Sequence, residues 1–472
     1  MRDTSCPPVT GTTSEVGDRS LIELLTGVLF VAVCIVGSVR PSWALALVIS
    51  MYAFEQALQA SLPLFSRIPS LTNVVIALSV GACALREVMR SPEPFLGYFS
   101  KTWWCTIILF VGAAASLLWT PAFGPAVELT RWGLPYLVLT ILCAPLLCQG
   151  LQSLQDTLKA FIILGGAINV LILINPQFTF KVGRLGTDID ALTRSNPLTM
   201  GELGGCVFLA AVLFRPQAGS VLFTFAKLAA GVSGVIVCLL SGSRGQLMFA
   251  ILLCIIVFPA AIRVRNIVTF FGSLLVVLFM VAVLAFIAAE LLGFQELRRW
   301  DSAQLQSGAS VRIANALDLV GVFVTSPFAW VIGLGFNAFV TVTDSLEPYS
   351  HLLFLDILTE QGIPMFIVLC IMLWTVSKDT IWMYNQSREQ PIARSAIATL
   401  GALYLYETLL VNKQGYMWMA MQFFLFGIML SRVKLWEERL SMFGLSEGAG
   451  EVLDSSSPRG ESETVSQTTP PA

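Results

Sequence analysis

Runs of about twenty apolar residues recur along this chain from residue 21 to residue 432, and that repetition leaves few folds open. A helix that crosses a bilayer needs about 20 mostly apolar residues. Thirteen stretches qualify as candidate spans: 21–38, 42–62, 71–89, 102–119, 132–149, 156–175, 198–214, 220–241, 246–262, 267–290, 352–375, 393–411 and 415–432. The expected fold is an all-α polytopic membrane protein with about 12–13 transmembrane helices. Composition agrees. Charged residues make up 12% of the chain, where an ordinary soluble domain carries roughly 25%. A net charge of −2 gives no basic surface for nucleic acid.

The organisation follows from where the apolar runs stop. Residues 1–20 form a polar tail, 21–290 the first ten spans, 291–351 a long loop, 352–432 the last three spans, and 433–472 a largely disordered cytoplasmic tail. The N-terminal apolar run has no clear cleavage site and is followed by more membrane, so it does not read as a cleaved signal. No internal repeat is visible. Lys and Arg gather in alternate short loops, for example at Arg86, Arg90, Arg263, Arg265, Lys378 and Arg388. The positive-inside rule makes those loops cytoplasmic. Loops 176–197 and 291–351 then face outward. With thirteen full spans the N-terminus is outside as well, unless segment 21–38 does not cross completely. In this topology Glu55, Glu202, Glu290, Asp356, Glu360 and Glu407 lie in the outer half or near the outer end of their spans. Ionisable groups in a membrane are costly and usually face a cavity or a partner. Lys227 lies toward the inner end, where it can snorkel.

Several residues at the outer face could carry chemistry. Ser241-Gly242-Ser243-Arg244-Gly245 joins two strongly apolar spans. Arg244 there is open to an anion, with helix-start N–H groups beside it, although a lone interfacial Arg also anchors hairpins. Loop 176–197 offers Arg184 and Arg194, which a solvated loop explains equally well. In the long loop, Ser310 can cap an amphipathic helix from about Val311 to Val324 that presents Arg312. The same helix could simply lie on the bilayer surface.

His351, the single histidine, closes that loop. Imidazole is the side chain whose ordinary pKa suits proton transfer near neutrality. One His and ten Cys, nine of them in or beside apolar runs, cannot build a transition-metal site with several His or Cys ligands, so no metal of that kind is expected, while a hard-cation site made of carboxylates alone stays open. Asp356 and Glu360 share a helical face four residues apart, as do Glu55 and Gln59. Either acid could line a cavity or pair with an Arg on a neighbouring helix. Gly362 and Pro364 are placed to break or kink that helix.

Taken in order, Ser243-Arg244-Gly245, the Arg312 helix, Ser326-Pro327, Gly333-Leu334-Gly335 and then His351, Leu355 and Glu360-Gln361-Gly362 resemble the O-antigen ligase and Wzy-type polysaccharide polymerase family. The likeness covers roughly 180–375 and, more loosely, the whole hydrophobic chain. It implies a GT-C-type glycosyltransferase of the bacterial inner membrane, with its active site facing the periplasm. The donor would be an undecaprenyl-diphosphate-linked oligosaccharide, and the acceptor another glycan or glycolipid. Arg244 and Arg312 match the arginines that hold the donor diphosphate, and His351 the histidine that acts as base or positions the acceptor. Arg184, Arg194, Glu360 and Glu55 are secondary candidates. The resemblance implies an inverting, metal-independent transfer with no cofactor, and a chain-length regulator protein as an additional partner. Two departures stand out: Leu352 replaces the Asn that commonly follows the His, and one N-terminal span is surplus.

The residue chemistry is compatible with that activity. Guanidinium groups bind phosphate oxygens bidentately and stabilise charge that develops on a leaving diphosphate. Surface-polysaccharide polymerisation is the leading expectation, and an O-antigen ligase acting on lipid A–core is the alternative. A transporter or flippase for a lipid or organic anion is the rival from another class. It predicts a binding site at the midplane, whereas a transferase predicts that Arg244, Arg312 and His351 border one cavity.

Overall fold

The computed structural model describes residues 13–91, 93–181, 184–187, 196–216, 220–262, 302–343 and 350–442, with a few isolated positions between 268 and 286. It is an all-α polytopic membrane protein. Seven described helices are long and apolar enough to cross a bilayer: Ser20–Val39, Ser70–Arg90, Phe123–Leu147, Leu151–Ile174, Val221–Leu240, Arg244–Ala261 and Leu353–Gln386. Lys101–Ser116 and Pro197–Leu213 are shorter apolar helices. The polar first residues 1–12, most of candidate span 267–290, loop residues 291–301 and tail residues 443–472 lie outside the described residues.

In chain order the helices are α1 Thr13–Val39, α2 Pro41–Ser61, α3 Pro63–Arg67, α4 Ser70–Arg90, α5 Lys101–Ser116, α6 Phe123–Leu137 and α7 Leu151–Ile174. A hairpin follows, with β1 Phe178–Lys181 antiparallel to β2 Arg184–Thr187. Then come α8 Pro197–Leu213, α9 Val221–Leu240, α10 Arg244–Ala261, α11 Ser302–Thr325, α12 Pro327–Ile332 and α13 Phe339–Val342. The chain closes with α14 Leu353–Gln386, α15 Pro391–Gln414 and α16 Met421–Met442. Local chemistry sets many of the starts. Proline opens α2, α8, α12 and α15, where its fixed φ suits the first turn and its missing N–H costs nothing. Ser100, Asn196 and Ser220 cap α5, α8 and α9 with side-chain oxygens.

The centre of the bundle is α8, which packs against α2, α7, α9, α10 and α15. Gly204 and Gly234 let α8 and α9 approach backbone to backbone: a Cβ at Gly204 would sit 2.7 Å from the Gly234 carbonyl oxygen. Close contact at small residues is how helices associate in lipid, where apolar burial supplies little drive. Phe54, Phe161, Phe208, Phe423, Phe424 and Tyr406 fill the interior completely. Most cysteines are buried free thiols among these residues.

Several helices differ from their expected limits. The helix carrying Arg312 begins at Ser302, so Ser310 lies inside it and does not cap it. The last helix continues through Met442, ten residues beyond the end of the apolar run. There Lys434 pairs with Glu438 at 2.6 Å and Arg439 with Glu93 at 3.1 Å. Finally, α6 is regular only to Leu137. Pro135 and Pro145 each remove a backbone donor, and the chain passes through a π turn at Val138–Cys143 and a 3-10 turn at Ala144–Leu147.

Candidate functional site

The turn between α9 and α10 is held to two further helices, α8 and α15. Gly242 takes φ +66° after the last turn of α9, and its N–H donates to the Leu239 carbonyl. This is the left-handed conformation that glycine adopts without steric penalty. Ser241 Oγ accepts from the Ser243 N–H at 3.3 Å. Gln246, one residue past Gly245, donates through Nε2 to the Leu198 carbonyl on α8 at 2.6 Å. The turn is therefore fixed against the start of α8, and Arg244 is the first residue of α10.

Arg244 is half-buried, and its Nη1 is fully buried without a hydrogen-bond partner among the described residues. An unpaired guanidinium nitrogen is costly to bury. Next to it, Lys413 from the end of α15 lies over Gly245. Its Nζ donates to Ser243 Oγ at 3.1 Å. A Cβ at position 245 would fall 2.6 Å from Lys413 Cδ, Cε and Nζ. The Ser-Arg-Gly sequence thus has a spatial logic: Ser243 receives the lysine, Gly245 makes room for it, and Arg244 stands between them. A cation from α15 thus reaches the turn that carries Arg244, at a helix N-terminus where backbone N–H groups add positive potential.

Lys413 did not stand out in the sequence, yet a signal was present. It falls between the apolar runs 393–411 and 415–432 on the face assigned outward, where the positive-inside rule disfavours Lys.

His351 is tied to the same end of the bundle. Asn412, the neighbour of Lys413, accepts through Oδ1 from the Phe354 N–H in the first turn of α14 at 3.2 Å. Adjacent residues of α15 therefore hold the start of α10 and the start of α14. His351 has φ +68° and is half-buried. Among the described residues it shares positive φ, outside glycine, only with Asn337. Such backbone conformations persist where surrounding contacts over-determine them, and here the contacts are identifiable. Ser350 Oγ donates to Asp356 Oδ1 and accepts from the Leu352 N–H, so the turn is clamped on either side of the histidine.

Asp356 and Glu360 do share a face, and each holds a loop. Asp356 holds the His351 turn through Ser350, so its described partner is a serine and not an arginine. Glu360 accepts from the backbone N–H groups of Asn337 at 2.9 Å and Phe339 at 3.4 Å. Below it α14 breaks at Gly362, with φ +85°. Pro364 cannot donate to the Glu360 carbonyl. The carbonyls of Thr359 and Glu360 instead accept from Leu334 N–H at 2.8 Å and Gly335 N–H at 3.0 Å. The Gly333-Leu334-Gly335 segment is therefore a docked plug in the broken helix.

The other candidates are dispersed. Arg312 lies half-buried on α11, which packs on α12, α13 and α14. No hydrogen bond joins it to Arg244 or His351 among the described residues. Arg184 sits in the β-hairpin opposite Lys181, and Arg194 lies outside the described residues. Glu55 accepts from Gln59 at 2.9 Å and Asn73 at 3.2 Å. It lines a cleft of about 840 Å³ together with residues of α4 and α6, separate from the Arg244 turn. Between the two lies a small cavity of about 50 Å³ lined by Tyr52, Glu202, Glu407, Gln414 and Gln422.

Neither protein-family models nor curated protein sequences contain a match to this chain.

Proposed function

We propose that the chain is a glycosyltransferase that moves a glycan from undecaprenyl diphosphate to an acceptor sugar at the periplasmic face of the bacterial inner membrane, as a surface-polysaccharide polymerase. The observation that carries this reading is the buried, unpaired Nη1 of Arg244 beside Lys413 at the start of α10. That arrangement suits a diphosphate. A planar guanidinium can take two phosphate oxygens, a lysine adds a point charge, and helix N–H groups complete the cradle. As the bond from the anomeric carbon to the diphosphate oxygen breaks, negative charge grows on that oxygen. Preorganised cations in a site shielded from water stabilise it most at that moment. His351, held at the same end, supplies a base for the acceptor hydroxyl, a contribution of roughly 10²–10⁴-fold. Arg312 is assigned to the donor through the family resemblance.

The test is release of undecaprenyl diphosphate by protein in lipid nanodiscs supplied with an undecaprenyl-diphosphate oligosaccharide, followed by mass spectrometry. Longer lipid-linked chains from the wild type, lost in Arg244→Ala, support a polymerase. Release only when lipid A–core is added makes the protein a ligase. No release with either acceptor from folded protein overturns the transferase and favours a carrier of lipid-linked anions.

A further inference from the structure

A cleft of about 840 Å³ at this end of the bundle lies apart from the Arg244 turn. It opens between α4 and α6, above the irregular turns at Val138–Leu147, with α2 as its floor. Its walls are mostly apolar, with Glu128 and Arg131 of α6 also lining them, and Val74 and Trp132 at its sides are 52% and 67% exposed. On a membrane-spanning bundle those residues face lipid, so the cleft is entered sideways from the bilayer.

The floor is polar and built. Asn73 Nδ2 donates to both Glu55 Oε1 at 3.2 Å and the Tyr136 hydroxyl at 2.7 Å. Gln59 donates a second hydrogen bond to Glu55 Oε1. The carboxyl and the phenolic oxygen both call for a donor, so the amide nitrogen of Asn73 must face them. Its carbonyl oxygen, Oδ1, is then left buried with no partner among the described residues. The unmet demand at this floor is therefore for hydrogen-bond donors.

Three ligand classes can be weighed against that demand. An anion at the floor is opposed by the carboxyl and the carbonyl, and the wall offers it no net positive charge, since Arg131 is offset by Glu128. A bare cation would use the oxygens but needs only a few tens of Å³, far less than about 840 Å³. A saccharide fits both. Its hydroxyls donate to Glu55 and Asn73, its C–H faces pack on the aromatic rings of Trp132 and Tyr136, and the volume falls in the usual range for small-molecule sites, about 300–1,000 Å³.

We infer that the α4–α6 cleft is a saccharide-binding site that takes the sugar headgroup of a membrane glycolipid, with Glu55 and Asn73 accepting from its hydroxyls. Saccharide binding does not depend on transfer chemistry. The assignment of that sugar as the acceptor rests on the transferase reading. Tyr136 packs against Tyr52, with ring centroids 4.8 Å apart and the planes tilted by 36°, and Tyr52 lines the small cavity shared with Gln414, the neighbour of Lys413. That small cavity thus borders residues of both the cleft and the end of α15 that carries Lys413.

The test uses the full chain in nanodiscs, incubated with a total glycolipid extract of the source cells and washed, with retained lipids identified by native mass spectrometry. Ala77→Trp fills the cleft from an exposed position. Asn73→Leu removes the acceptor. Sugar-headed lipids are expected on the wild type, reduced at least about fivefold in each variant, the effect of one hydrogen bond of about 1 kcal/mol. Equal retention by wild type and Ala77→Trp, or retention of sugar-free phospholipid alone, overturns the inference. Release of undecaprenyl diphosphate by the wild type is scored in parallel. Its absence with saccharide retention intact removes the acceptor assignment and the transferase, and leaves the binding site standing.

Discussion

Lys413 lies across Gly245 with no room for a side chain between them. A Cβ at 245 would meet the far end of the lysine at 2.6 Å, while Lys413 Nζ reaches Ser243 Oγ at 3.1 Å. Because the colliding atoms belong to a flexible chain, Gly245→Ala is expected to fold and to push Lys413 off the turn. Donor turnover should fall in Gly245→Ala and in Lys413→Ala, and the double variant should lose little more than either. Non-additivity of that kind marks two residues acting through one contact. Additive losses in undecaprenyl diphosphate release would contradict the arrangement.

Arg244 gives a sharper expectation. Removing one preorganised donor to a developing oxyanion typically costs about 10²–10³-fold in kcat. Arg244→Ala should reach that range, and Arg244→Lys should recover little of it, since an ammonium cannot hold two phosphate oxygens in a plane. Full activity of Arg244→Lys in the release assay would show that only a point charge is needed.

The helical bundle was legible because lipid demands long apolar runs, and those runs are contiguous in sequence. Turn geometry was partly legible: Gly362 and Pro364 do break α14. What that break does was not, because its carbonyls are satisfied by Leu334 and Gly335, some twenty-five residues earlier in the chain. Glu360 shows the same limit. A carboxylate near Arg-bearing helices suggests an ion pair, yet its partners are backbone N–H groups, which leave no mark in a sequence. Lys413 is the clearest omission. Its meaning depends on Gly245, and spacing within one helix cannot reveal a contact between α15 and α10.

Glu360 is expected to act on stability, through the loop it holds. Glu360→Leu strands two buried N–H donors, at Asn337 and Phe339, at about 1–3 kcal/mol for each. Glu360→Gln keeps a carbonyl acceptor and should cost less. Denaturation in detergent would rank the two below wild type in that order. A leucine variant as stable as the glutamine variant would show that the two N–H groups find other partners.

Two glycines should behave in opposite ways. Gly333 has φ +78°, and a Cβ there would overlap the Glu360 carbonyl where the docked segment meets the broken helix. Neither atom is on a flexible side chain, so Gly333→Ala must undock the segment, and with it the hydrogen bonds from Leu334 and Gly335 to α14. Gly81 lies in the middle of α4, and a methyl group added there would meet nothing within 4 Å. Alanine there removes only backbone freedom and should stabilise by up to about 1 kcal/mol. The expected midpoints of thermal unfolding therefore bracket the wild type, with Gly81→Ala at or above it and Gly333→Ala well below. A Gly333→Ala protein that unfolds with the wild type would mean that the plug is not held by the break in α14, and the clamp on Glu360 would need a different explanation.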